Sequence, residues 1–496
     1  MSTTGYRHGV YTSELPTSLL PARTVDSAVV FAVGTAAVHT LDADAARAAV
    51  NVPMLFYSYD EAVQALGWDA EHFSDYTLQE VIYSHFALYG AAPVVCVNVF
   101  APETHASEVT DEAVTFSTSA LGLDTARLAH KGARSVSVSG EDGLTSYVEG
   151  EDYLLDAATG LLTRLADGTI PAGATVLVSY THADVSRVTA DDVIGGIVPG
   201  SGASTGLELI DEVFPRFRLV PSIVLAPRFC EDPAVAVVMA AKCDGVNGLF
   251  KSVCVVDVPS DGENAVTRYT DVPGYKEANN LTDPLMLVCW PKVKLGDRVF
   301  SLSTHLAGLM ASTDADHDGI PHASPSNKRL EITSSGYLDA DGRWKEVWLD
   351  LTKANYLNGQ GVYTISNFDG GMKSWGGRMA CYPSNTDPKD AQDAIRRFFN
   401  WYQATFILTW FARVDEPLTR RLVQTFLKSE QIRLDGYTAR EIILGGGISF
   451  DESENPTTDL IDGIMRFHLR ITPPPAARDI EASFEFATDN LKALFG

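Results

Sequence analysis

The chain has 496 residues, too many for one hydrophobic core, so two to four domains are expected. Its 38 Lys and Arg face 64 Asp and Glu, and a net charge of −26 argues against a partner built on a phosphate backbone. No apolar run reaches the roughly 20 residues that span a bilayer, so no segment reads as a membrane span.

In chain order, residues 1–21 hold Pro16 and Pro21, show no helical period and read as an extended arm. The N-terminus lacks a basic stretch followed by an apolar core, so no export signal is expected. Val29 to Gly34 is a continuous apolar run, the pattern of a strand buried on both faces. Tyr76 to Tyr89 places Leu78, Val81, Ile82, His85, Phe86 and Tyr89 on one helical side, and Pro93 to Phe100 is a second apolar strand. Strand, helix, strand is an α/β opening.

The pattern changes near Pro102. Short alternating runs come next, at 135–138, 152–155, 161–164 and 175–180, separated by Asp-Gly, Thr-Gly and Ala-Gly turns. They predict a small all-β module over 104–194, inserted at a surface loop and projecting outward. The α/β pattern then resumes. Gly200, Gly202 and Gly206 precede a helix at 207–214, and strands at 223–226 and 253–258 flank a helix from Pro233 to Leu249.

The last fifth begins at Trp375-Gly376-Gly377-Arg378. Ile395, Phe398, Phe399, Tyr402, Phe406 and Trp410 form an aromatic stripe on one helix, and Leu418, Leu422, Val423, Phe426 and Leu427 form the inner face of the next. Beyond Pro473-Pro474-Pro475, the residues Ile480, Ala482, Phe484 and Phe486 alternate with Glu481, Ser483 and Glu485. This predicts a strand with one apolar face. Such a strand needs a sheet edge, either in its own domain or in a neighbouring molecule.

Chemistry-bearing motifs are weak. The Gly200–Gly206 stretch has GxGxxxG spacing and no Gly-Lys-Ser/Thr, so a structural turn accounts for it better than a phosphate loop. Asp314, Asp316 and Asp318 open like a calcium loop, but the twelfth position is Pro325 in place of a bidentate glutamate. A polar loop, or a weak surface cation site using His317 or His322, remains. No HExxH occurs, and the six cysteines form no CxxC; they read as buried thiols of a reducing compartment. No cofactor, metal or catalytic residue is expected.

Several short pieces, in order, resemble the contractile phage tail sheath family, also found in phage-tail-like bacteriocins and contractile injection systems. They are His8-Gly9-Val10-Tyr11, Pro21, Ala28–Ala36, His322–Lys328, Trp375–Arg378 with Arg396-Arg397, Gly445-Gly446-Gly447, Glu454-Asn455 and the terminal strand. The aromatic Phe399-Asn400-Trp401-Tyr402 after the double arginine departs from the family pattern. The resemblance implies an α/β and α+β multidomain chain. Residues 1–21 would be an N-terminal arm, 22–103 and 195–374 an α/β core, 104–194 the inserted β domain, 375–475 a tube-proximal domain and 476–496 a C-terminal arm strand. It implies a structural subunit, assembled in the bacterial host cytoplasm, that polymerises helically, with six-fold symmetry, around a tail tube. Baseplate and tail terminator proteins would be further partners, with no direct nucleic acid and no membrane insertion. Val10, Tyr11, Ile480, Ala482, Phe484 and Phe486 would make arm contacts between subunits. Arg396, Arg397, Arg420 and Arg421 would meet an acidic tube, or else be solvated or braced by Asp393. Charge fits this orientation: residues 375–496 carry 14 Lys and Arg against 17 Asp and Glu, leaving −23 on the first 374 residues. The rival readings are a two-domain α/β enzyme with a cleft near 200–260 and a surface adhesion protein using the β insertion.

Overall fold

A computed structural model describes residues 23–24, 27–119, 122–157, 159–262, 264–368 and 370–495, so the expected N-terminal arm lies outside the described residues. The apolar runs become the main sheet. Its strands are β1 (Val30–Gly34), β2 (Met54–Phe56), β3 (Val94–Asn98), β4 (Ile223–Leu225), β5 (Val253–Asp257), β6 (Met286–Cys289), β7 (Val362–Ser366) and β8 (Lys373–Trp375). They lie in the order β8-β7-β6-β5-β4-β1-β3-β2, parallel except for the two edge strands. Every residue of β1, β3, β4 and β5 is buried, which is why these strands read as unbroken apolar runs. The helix Pro233–Cys243 and the helix α1 (Leu302–Asp316) pack against β5, and α1 is buried almost all round. All six cysteines are free thiols inside this core.

The helix expected at 76–89 is wound in two ways. Thr77–Ile82 is α-helical and Tyr83–Leu88 is a π-turn. Fully buried His85 bonds the Val81 carbonyl at 3.0 Å, and fully buried His305 of α1 bonds the Tyr89 hydroxyl at 3.0 Å. The Nε2 atoms of both rings lack a partner among the described residues. The helix expected to reach Leu249 ends at Cys243.

The β module forms as expected, as an insertion between β3 and β4. One sheet runs Ser146–Tyr147, Arg134–Gly140, Thr175–Ala183, Ala106–Thr115; the other runs Tyr153–Asp156, Leu161–Arg164, Asp124–Arg127, Ser117–Thr118. Between them, Val114, Phe116, Val138, Leu162, Val176, Val178 and Tyr180 make a core distinct from that of the main sheet. The module closes earlier than residue 194. From Val185 onward the chain packs on the main core, with Val188 and Val193 buried there.

The chain divides into two compact units, residues 1–321 with 325–412 and residues 322–324 with 413–496. The boundary expected at 375 is thereby corrected to 412, because the helix α2 (Asp393–Trp410) is bonded into the first unit. The second unit is built on the helix α3 (Arg420–Ala439), a two-stranded antiparallel pair, Gly445–Ser449 with His468–Thr472, and a Phe426–Phe467 ring stack at 5.0 Å. Asn455 ties its loop together, accepting from the Arg466 amide at 2.7 Å and donating to the Asp451 and Arg466 carbonyls at 2.9 Å.

Burial sets a pH dependence. It lowers the pKa of His39 and His85 to about 4 and of His305 to about 3, against an ordinary 6.5. The unfolded chain therefore binds more protons than the fold between pH 6.5 and about 4. The stability is fully present above pH 6.5 and is lost as pH falls towards 4. Each such group contributes a slope of about 1.4 kcal/mol per pH unit. Denaturant unfolding of the isolated subunit should show His305→Phe with a slope shallower by that amount between about pH 6 and 4.5.

Candidate assembly surfaces

The double arginine does not face outward. Arg397 is 4% exposed, and its guanidinium bonds Asp314 at the end of α1, whose carboxylate also accepts from Ser27 Oγ at 2.9 Å. Arg396 is buried too, 3.0 Å from Asp390 Oδ1, with its Nε donating to Asn400 Oδ1 at 3.1 Å. The same helix is fixed at two further points. The Tyr363 hydroxyl donates to Asp393, and Asn400 Nδ2 donates to the Ser252 carbonyl at 3.2 Å. Burial pushes the Asp314 and Asp393 carboxyls up, opposed by Arg397 and Ser27 at Asp314 and by the Tyr363 hydroxyl at Asp393. A tube contact through Arg396 and Arg397 is thus corrected: acids and an amide inside the unit already hold them. Asp314 is turned inward by the same pairing and does not open a surface calcium loop.

The glycine of the Trp375–Arg378 run has a role beside this helix. A Cβ on Gly376 would lie 2.2 Å from the Tyr363 ring, so only glycine lets the chain pass the residue that anchors Asp393.

The cleft an enzyme would use is filled by the chain itself. At the carboxyl ends of the parallel strands, where a doubly wound sheet holds its ligand, Glu80 accepts from the Ser301 amide at 2.8 Å and pairs with Arg228 at 2.6 Å. Asp257 accepts from the Ser303 amide at 3.0 Å and from its hydroxyl. Two carboxylates therefore cap the start of α1, where a phosphate would sit. Gly200 and Gly202 lie in the turn that joins the short strands Gly196–Ile197 and Ser204–Thr205, and Gly206 follows the second of them.

The exposed candidates lie in the second unit. Arg420 and Arg421 open α3 and are exposed. Ile480, Ala482, Phe484 and Phe486 form no strand; all residues from Pro475 to Thr488 are exposed, Phe484 by 97%. Val10 and Tyr11 lie outside the described residues. Sequence reasoning missed the exposed apolar residues Val414, Ile432, Leu444 and Ile461 of this unit, and it put Leu418, also exposed, on an inner face. It also missed the strand His468–Thr472, whose alternation is short and carries His468 and Arg470. That strand and Gly445–Ser449 form a sheet of two, so each keeps an edge without a strand partner among the described residues. A two-stranded sheet is marginal on its own.

Comparison with known proteins agrees with this architecture. The tail sheath protein of Burkholderia phage BcepMu is 28% identical over 509 aligned residues, spanning 99% of both chains. Along its whole length the chain is similar to a tail sheath protein. The sheath subunit also shares its fold with a chain of the anti-feeding prophage baseplate (TM-score 0.57, 12% identity, covering 98% of this chain and 100% of that one). It likewise shares it with a chain of the PVC sheath complex of an extracellular contractile injection system in its contracted state (TM-score 0.56, 15% identity, covering 99% and 100%). A family model described as protein of unknown function UCP028589 matches residues 100–191, the span of the inserted module. The chain is a structural sheath subunit and not an enzyme.

The two arginine pairs should separate in mutagenesis. Arg397→Met leaves Asp314 buried without its counter-charge and should cost the isolated subunit about 3–5 kcal/mol in denaturant unfolding. Arg420→Glu with Arg421→Glu should stay within about 0.5 kcal/mol of the parent, as exposed changes do.

Proposed function

We propose that the subunit polymerises with copies of itself, helically and with six-fold symmetry, around a tail tube, and that the terminal arms join the lattice by strand addition. The observation that carries this is that the chain holds both a segment able to donate a strand and edges able to accept one. The fourteen residues Pro475–Thr488 stand exposed with alternating apolar side chains, and the second unit offers open edges on Gly445–Ser449 and His468–Thr472. Unpaired backbone groups on both sides are satisfied when the arm of one subunit enters the sheet of the next. Heterologous contacts of this kind give a filament. Arms that hold by main-chain bonds let the rigid units shift without separating. The extended sleeve is held kinetically and contracts by rigid-body rearrangement, driving the tube through a target envelope. Baseplate and terminator proteins cap its ends. Assembly takes place in the host cytoplasm, without nucleic acid or membrane insertion.

Tube contact falls to the exposed Arg420 and Arg421 in this reading. Single exposed pairs contribute only about 0–1 kcal/mol, but the lattice repeats them in every subunit.

Deleting residues 479–496, or Phe484→Pro, should abolish polymers in negative-stain microscopy while circular dichroism still shows a folded subunit. Sheaths of normal length from the truncated chain would refute the arm role. Reversing Arg420 and Arg421 to Glu should weaken assembly on tubes and leave tube-free polymer intact. The parent's tube binding should weaken with salt, as expected for charges screened over about 8 Å at physiological ionic strength. Equal loss of both polymers would remove the tube role.

A further inference from the structure

The inserted module and the main core have separate apolar interiors, and the chain passes between them twice, side by side. Ala106 pairs with Ala183, and the Asp184 amide donates to the His105 carbonyl at 2.9 Å. Ser107 Oγ donates to Asp184 Oδ2 at 2.6 Å, and Arg187 Nε donates to Ser107 Oγ at 3.1 Å. This two-stranded stalk fixes where the module is attached. Its angle is left to whatever else reaches across.

Beside the stalk is an open cleft of about 450 Å³. His39, Asp69 and His72 of the core face His130, Lys131 and His182 of the module across it. Lys131 crosses it, with Nζ 3.2 Å from Asp69 Oδ2 and 3.0 Å from Glu71 Oε2. The receiving carboxylate is held in advance. Asp69 Oδ1 accepts from the Glu71 and His72 amides at 3.1 and 3.3 Å, and Gln79 bonds the Asp69 backbone at 2.8 and 3.2 Å. The Asp69 side chain is 5% exposed, so its pairing is screened less than a surface pair, while Lys131 keeps 25% of its surface in water. The lysine is delivered by a turn pinned to the module. His130 stacks on His182 of the outgoing strand with ring centres 3.8 Å apart, and the Gly132 amide donates to the Ala157 carbonyl at 2.7 Å.

We infer that Lys131 is a latch, which holds the inserted module at one angle on the core through Asp69 and Glu71, and that the module swings on the stalk at His105–Ala106 and Ala183–Asp184 when the latch opens. Among the described residues the geometry is that of a hinge with one polar strap. Two ordered bodies are joined by two strands, and an ion pair bridges an otherwise open cleft. The latch acts within one subunit and is read without assembly.

Hydrogen exchange on the full-length chain tests it. In Lys131→Met, the amides of Asp184, Glu71 and His72 should exchange at least about tenfold faster, corresponding to about 1.4 kcal/mol of lost local protection. Lys131→Glu should go further, and Lys131→Arg should keep parental rates. Val176 and Val178 in the module, and Val95 and Val255 in the main sheet, should be unchanged in all three. Unchanged exchange at Asp184 in Lys131→Met would overturn the latch. So would equal acceleration at Val176 and Val178, which would make Lys131 a stabiliser of the module's own fold.

Discussion

The structure turns on one buried charge. Arg397 cannot be left in the interior alone, and Asp314 cannot either; each is tolerable only because the other is there. Their pairing joins α2 to the end of α1 across 83 residues of sequence, and Ser27 adds the segment that leads into β1. The sheet, the helix after it and the start of the core are thereby one body up to residue 412. The chain beyond residue 412 is built differently, with a small core, a two-stranded sheet and apolar side chains left in water. A well-bonded body and an under-satisfied one suit the lattice proposed above.

Much of the fold was legible because burial leaves a local trace. Val30–Gly34 and Val253–Asp257 are apolar at nearly every position because both faces are covered, and Thr175–Ala183 alternates because only one is. The module's own core follows from that alternation. The arginines were legible only in part, for the opposite reason. A brace by a nearby acid could be read, though Asp390 and not Asp393 supplies it to Arg396. Nothing near Arg397 in sequence announces that Asp314 closes over it from 83 residues away. The domain boundary was misplaced by the same blindness, since the punctuation at Trp375–Arg378 is a close passage over Tyr363 and not a linker. The stretch Ile480–Phe486 reads more strongly as a strand than His468–Thr472, yet only the latter is paired within the chain. A strand is a relation between two segments, and alternation reports only one of them.

The main sheet has the place where an α/β fold can hold a ligand, and the chain occupies it itself. Its strand ends and the helix start beyond them still present backbone donors, and those donors have to be met. Glu80 and Asp257 meet them from inside the chain. The place that would take an anion in an enzyme is here part of the core, and the energy of capping α1 goes to holding strands and helices together.

The six thiols have a consequence for the assembled particle. All lie within the first unit's interior, and burial pushes those of Cys96, Cys230, Cys243, Cys289 and Cys381 up, away from the reactive thiolate. No thiol is offered at a surface where subunits could meet. A sheath of such subunits carries no disulfide welds between neighbours, in oxidising surroundings as in reducing ones. In the lattice proposed above no joint would be welded through cysteine, so each would stay open to rearrangement however long the particle has waited.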